Sequence, residues 1–215
     1  MRFAILLSVL VFLAGCGVGG PTDTSPATAT DGKEGKMAEK QAGVADPQPL
    51  RWDEQHTQKP LTISEDGQTL SWNSDSKAVW LGSQTTGRLS KGVFTWDFKI
   101  EEIAERQIGV GILLDPPNWG FFGYLGAGKN AWSYDAFEGA IVTEEEAIHS
   151  GLPKIGKSGT VSVRLDLKRK NECVFIVDGN ETPAISLPQG AVVIPAACLL
   201  KKGQVVTLAN LKRLE

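Results

Sequence analysis

From Gly92 to Leu114 the chain reads GVFTWDFKIEEIAERQIGVGILL. Phe94, Trp96, Phe98 and Ile100 alternate with Thr95, Asp97 and Lys99. After a short polar turn, Ile108, Val110, Ile112 and Leu114 repeat the pattern. Side chains on a strand point to opposite faces with period two, so this stretch predicts two half-buried strands facing one core. Each large side chain withdrawn from water contributes roughly 1.5–3 kcal/mol, which makes the pair a plausible nucleus for a sandwich.

The rest of the domain carries the same punctuation. Leu61–Ser64 and Thr69–Trp72 flank Glu65-Asp66-Gly67-Gln68, and Asp-Gly between two apolar runs is a hairpin signal. Short strands are predicted at Ala78–Leu81, Ala131–Phe137, Gly139–Thr143, Thr160–Leu167, Glu172–Val177, Val192–Leu200 and Val205–Leu211. The acidic stretch Glu144–His149 reads as one helical turn, and Asp115–Lys129 as a long loop. Closely spaced strands joined by turn residues, with no long helix, predict an all-β fold, a two-sheet antiparallel β-sandwich.

Composition excludes several function classes. Against 22 Lys and Arg stand 25 Asp and Glu, a formal net charge of -3 over 215 residues, so there is no basic footprint for nucleic acid. The cysteines are Cys16, Cys173 and Cys198, and the histidines are His56 and His149. No C-x-x-C or H-x-x-x-H spacing occurs, so no metal site and no cofactor are expected. Cys173 should face inward beside Phe175, with Cys198 on another strand. A disulfide between them and two buried free thiols are both compatible with the sequence.

Motifs that carry chemistry are fragmentary. Gly123 to Lys129 fits G-x-x-x-x-G-K, but Asn130 stands where Ser or Thr should bind Mg²⁺, and a strand rather than a helix should follow. Ser74 to Lys77 fits S-x-x-K without a companion motif. Asp97 and Glu101 share the outer face of one strand, but four residues of strand separate them by roughly 13 Å, too far for paired-carboxylate glycoside chemistry of the retaining kind. No enzyme is expected.

The N-terminus is a targeting segment. Arg2 precedes the apolar run Phe3–Leu13, which ends in Leu13-Ala14-Gly15-Cys16. This resembles a bacterial lipoprotein signal. The resemblance implies that residues 1–15 are removed and that Cys16 becomes an acylated N-terminus anchored in the membrane by more than one chain. Gly17 follows, where Asp would suggest inner-membrane retention, so the outer membrane is favoured if the envelope has two. Residues 16–49 are rich in Gly, Pro, Ser, Thr and Ala, and almost free of large apolar side chains. They read as a disordered tether spanning on the order of 30 Å, with the folded domain at 50–215.

Within that domain the order of motifs resembles a SPRY domain, a concanavalin A-like jelly-roll sandwich. The matching residues are Gly92-Val93-Phe94-Thr95-Trp96-Asp97-Phe98, Ile108-Gly109-Val110-Gly111, Gly126 with Ala131-Trp132-Ser133-Tyr134, Gly159 with Val163 to Leu167, Phe175 to Gly179, and Ile194-Pro195-Ala196-Ala197. Asp178 replaces the family's Asn. The resemblance covers about Leu61–Leu211. It implies a non-enzymatic module that engages a protein or peptide partner through loops at one end of the sandwich, with Trp96, Ile108 and Phe175 as framework. A glycan is the alternative ligand.

The candidate site is the loop Asp115–Tyr124, with Asp115, Asn118, Trp119, Phe121, Phe122 and Tyr124. Exposed, these rings would anchor a protein interface or stack on sugars. Folded back, they would cap an open end of the sandwich.

Overall fold

A computed structural model describes residues 48–75, 77, 79–101, 108–119 and 123–215. The expected signal peptide, Cys16 and almost all of the tether lie outside these residues. The described strands form two antiparallel sheets.

The larger sheet runs in the order β1 (Leu61–Ile63), β2 (Thr69–Trp72), β14 (Val205–Arg213), β4 (Val93–Glu101), β9 (Gly159–Asp166), β10 (Glu172–Val177), β11 (Asn180–Glu181). The short β12 (Ile185–Ser186) also pairs with β10. The smaller sheet runs β3 (Leu81–Gln84), β13 (Val193–Leu199), β5 (Gly109–Leu114), β6 (Ala131–Asp135), β7 (Ala140–Thr143), β8 (Glu146–His149).

β4 and β5 are the two alternating runs of the central stretch, and they fall on opposite sheets. Phe94, Trp96, Phe98 and Ile100 point inward from β4. Their cross-strand neighbours Leu165, Val163 and Val161 on β9, and Leu208 and Val206 on β14, continue the same apolar stripe. From the facing sheet come Val110, Ile112, Tyr134, Val193, Ala197 and Leu199. The outward side of β4 is polar. Asp97 ties three strands together, accepting from the Ser162 hydroxyl (2.6 Å) and from the Asn210 amide (2.6 Å).

The smaller sheet departs from simple alternation: β5 and β13 are buried along their whole length. Their inward residues join the main core. Leu113, Ile194, Ala196 and Cys198 point the other way, into a second apolar cluster with Leu125 and Ala131.

One flank of the sandwich is closed by the incoming chain. Trp52 donates its backbone N–H to Gly67 (2.8 Å) and its indole N–H to the Gln68 carbonyl (2.9 Å). Asp53 donates to Gln84 and receives no strand of its own, while Thr86 donates to Arg51 (both 2.9 Å). The segment Arg51–Asp53 therefore ties the turn between β1 and β2 of one sheet to the end of edge strand β3 of the other.

Two expectations change. Glu144–His149 is not helical: Glu146–His149 is strand β8, and Glu144 and Glu145 both have positive φ (49° and 67°), a two-residue hairpin turn. Such turns favour Asn and Gly, so the Glu pair carried no signal; the Glu145 N–H is held by the Gly126 carbonyl (2.8 Å). Of the strand predicted at Ala78–Leu81, Val79 and Trp80 lie outside any strand and Leu81 opens β3, while Ala78 lies outside the described residues. Of the two alternatives left open for Cys173 and Cys198, the structure has free thiols: Cys173 faces the main core and Cys198 the second cluster, on different sheets.

Candidate functional site

Four chain segments meet at one end of the sandwich. β5 ends at Leu114, whose N–H donates to Asn130 (3.0 Å), and Asp115 donates to Val192 (2.9 Å). Leu89 and Val193 exchange backbone hydrogen bonds of 2.9 and 2.8 Å. These bonds hold together the Gly87–Lys91 turn, the start of the Asp115 loop, the Lys129–Asn130 turn and the approach to β13.

Two grooves open here. One, of about 550 Å³, is walled by Asp115, Pro116, Pro117, Asn118, Trp119, Lys129 and Asn130 over Leu114. The other, of about 490 Å³, lies between the Gln48–Leu50 segment, the Gly87–Lys91 turn and the strand ends carrying Phe94, Leu211 and Arg213. Arg88 lies between them. Its Nε is 3.5 Å from Asp115 Oδ1, and Nη1 donates to the carbonyls of Thr85 and Thr86 at 3.3 Å. An ion pair this exposed contributes little stability.

The aromatic loop folds back over the smaller sheet. Trp119 is half-buried: its six-membered ring lies against Gly82, and its indole N–H donates to Gln84 Oε1 (3.2 Å). Tyr124 is half-buried against Trp80, with ring centroids 4.6 Å apart. Both pack on the second apolar cluster, and burial holds the Tyr124 phenol well above its ordinary range. Gly128 permits the fold-back: a Cβ there would lie 1.9 Å from the Asn118 carbonyl oxygen.

Of the six candidate residues, Asp115 and Asn118 are exposed on the first groove, and Trp119 lines it with its free side. Tyr124 is turned away into the cluster. Phe121 and Phe122 lie outside the described residues. Sequence reasoning missed Arg88, Lys91, Lys129 and Arg213. Each reads as an ordinary surface cation until Leu89–Val193 and Leu114–Asn130 pairing brings their turns together.

Other constellations resolve as structural. In the G-x-x-x-x-G-K stretch, Leu125–Ala127 is a single 3-10 turn leading into antiparallel β6, which lacks the helix N-terminus a phosphate needs. Asp135 is buried, and that burial raises its carboxyl pKa; its Oδ1 accepts from the N–H groups of Phe137 and Glu138 (3.0 Å each) and closes a turn. Asp97 is engaged on both oxygens, as described above. Among the described residues no three His, Cys, Asp or Glu side chains cluster as metal ligands.

No family model and no curated protein matches the chain. Solved structures do. The PSpry domain of TRIM65 superposes with a TM-score of 0.60 at 16% identity, covering 76% of this chain and 90% of that one. The SPRY domain of human HERC1 gives 0.58 at 17% identity, covering 74% and 97%. A further human SPRY domain gives 0.55 at 17% identity, covering 69% and 94%. With two antiparallel sheets in place and nearly the whole of each of these domains covered, the fold of this chain is SPRY-like.

Proposed function

We propose that this chain is a lipid-anchored protein of a bacterial cell envelope that presents a SPRY-like domain to a protein or peptide partner. The observation that carries the reading is the pair of grooves flanking Arg88–Asp115, at a loop-bearing end of a sandwich of this fold. SPRY domains are in general binding modules without catalysis, which supports recognition rather than chemistry. The lipobox Leu13-Ala14-Gly15-Cys16 supports the anchor, and the Gly17 that follows supports the outer membrane where there are two.

The glycan alternative gains no support from Tyr124, whose ring is committed to Trp80. Stacking on a sugar needs a free ring face, and of these two rings only Trp119, packed on Gly82 by one side, turns the other to the first groove.

A photo-crosslinking amino acid at Asn118 or Lys129 tests recognition in cells. Discrete adducts with another protein are expected from both positions, and none from Thr62 on the outer face of the larger sheet. Equal crosslinking from all three would overturn the reading. Radiolabelled palmitate should enter the wild-type chain and be absent from Cys16→Ser; labelling that persists would remove the anchor.

A further inference from the structure

The second groove continues along an unfinished sheet edge. β2 accompanies β14 only from Val205 to Thr207, after which Leu208 donates to the Gln68 carbonyl (3.0 Å) and the β2 hairpin turns away. Beyond Thr207, β14 pairs with β4 alone among the described residues, at Leu208, Ala209, Lys212 and Arg213, and it bulges between Ala209 and Lys212, where Asn210 has positive φ (54°). A gap of about 230 Å³ separates this stretch from Pro49 and Leu50. That gap and the groove at the Gly87–Lys91 turn share Leu50 and Leu211, so together they follow the edge from Gln68 to Lys91. The unpaired edge therefore offers main-chain groups to a short extended peptide on either side of the bulge, not along one continuous strand.

The chemistry of the walls selects the occupant. The floor of the groove is Leu50, Leu89 and Phe94, all buried, with half-buried Leu211. The rim carries Arg88, Lys91 and Arg213, all exposed, and no acidic residue lines it. The nearest carboxylates are already engaged. Asp115 faces Arg88, and the Glu215 side chain is held by Lys168 (3.3 Å) and Arg169 (2.6 Å). Arg213 lies over the Phe94 ring (5.7 Å to its centroid), with Nε donating to the Glu215 main-chain oxygen (3.1 Å). Lys91 has neither an ion pair nor a hydrogen bond among the described residues.

We infer that the partner segment is an extended acidic peptide that pairs with the free β14 edge, seating an aliphatic side chain over Leu50 and Leu211 and carboxylates against Lys91 and Arg213. Alternation supplies both: inward side chains meet the apolar floor, and neighbouring ones meet the cationic rim. This rests on the peptide-binding reading above and names the chemistry of its ligand.

The test uses the mature-length Cys16→Ser chain and a fluorescein-labelled peptide of alternating Glu and Val, read by fluorescence anisotropy. Saturable binding that weakens with salt is expected. The Lys-for-Glu peptide and a version N-methylated at alternate amides should not bind. The double variant Lys91→Glu, Arg213→Gln should lose about tenfold or more in affinity while its Tm falls by no more than about 4 °C, the loss of the exposed Arg213–Phe94 contact. Equal binding of the Lys peptide, retained binding after N-methylation, or no binding of the acidic peptide at 1 mM (about the weakest affinity the assay reads) each overturns the inference. So does binding to anionic phosphatidylglycerol vesicles that the same substitutions abolish when no peptide binds. If Asn118 and Lys129 still crosslink a protein in cells, only this inference fails and the broader reading stands.

Discussion

Gly82→Ala isolates how the aromatic loop is held. A Cβ at position 82 would lie 2.4, 2.7 and 2.9 Å from three carbons of the Trp119 ring. Carbon atoms rest at about 3.5–4.0 Å, so the indole must retreat by about 1 Å or more. Its hydrogen bond to Gln84 is already 3.2 Å long and would break. Overpacking costs about 1–3 kcal/mol and a lost buried hydrogen bond about 1 kcal/mol, giving about 3 kcal/mol together. For a domain of this size that is a fall in Tm of about 6–12 °C. Urea unfolding of the single variants and of the double variant with Trp119→Ala closes a thermodynamic cycle. Trp119→Ala alone should cost about 2–3 kcal/mol, less than for a fully buried Trp. With the ring gone, Gly82→Ala should become neutral or stabilising by about 0.4–1 kcal/mol, because Ala restricts the unfolded chain more than Gly. A sign change between backgrounds means that Trp119 is the neighbour that Gly82 accommodates. Additive costs within about 0.5 kcal/mol would refute the packing account.

Alkaline stability should fall steeply, because the only two tyrosines, Tyr124 and Tyr134, are both held neutral by burial, Tyr134 with its pKa pushed up to about 12. Their stabilising contribution is complete below the unfolded value near 10 and is lost as pH rises towards 12, by about 1.4 kcal/mol per pH unit for each group. Tyrosinate absorbance at 295 nm should therefore appear together with unfolding, and a separate non-cooperative titration near pH 10 would refute this. Asp135→Asn should be neutral or stabilising at pH 7, since burial opposes the carboxylate while Asn still accepts from Phe137 and Glu138. With the folded pKa raised, the cost of Asp135 develops as pH rises through it, so the advantage of Asn should vanish near pH 3, as melts at both values would show. In the Cys16→Ser chain both remaining thiols should resist Ellman's reagent at pH 8 while folded, since burial pushes both upward, Cys198 to about 12. Two thiols should react on unfolding without reductant.

The sandwich was legible because its larger sheet has one wet face. β4, β9 and β14 as far as Leu208 alternate, and their inward residues named themselves by period two; the bulge after Ala209 puts Leu211 out of phase. The smaller sheet was harder to read. Ile194-Pro195-Ala196-Ala197 has no alternation because both sides of β13 are covered, one by the facing sheet and the other by the folded-back loop. Nothing local announces that cover: Trp119 finds Gly82 and Gln84 across 37 and 35 positions of sequence. The rim cations were illegible for the same reason. Arg88, Lys91 and Arg213 gain meaning only where the Gln48–Leu50 segment and an abandoned strand edge place them around one groove.

Double coverage of β5 and β13 has a consequence for how this domain can diverge. On β4 or β9 every second position faces water and can drift, so a saturation library should show tolerance flickering with period two. Across β5 and β13 tolerance should be uniformly low, because a polar residue on either side enters an apolar cluster. Variation is thereby channelled to the outward face of the larger sheet and to the loop ends. New recognition can arise there without disturbing the two strands that join the cores.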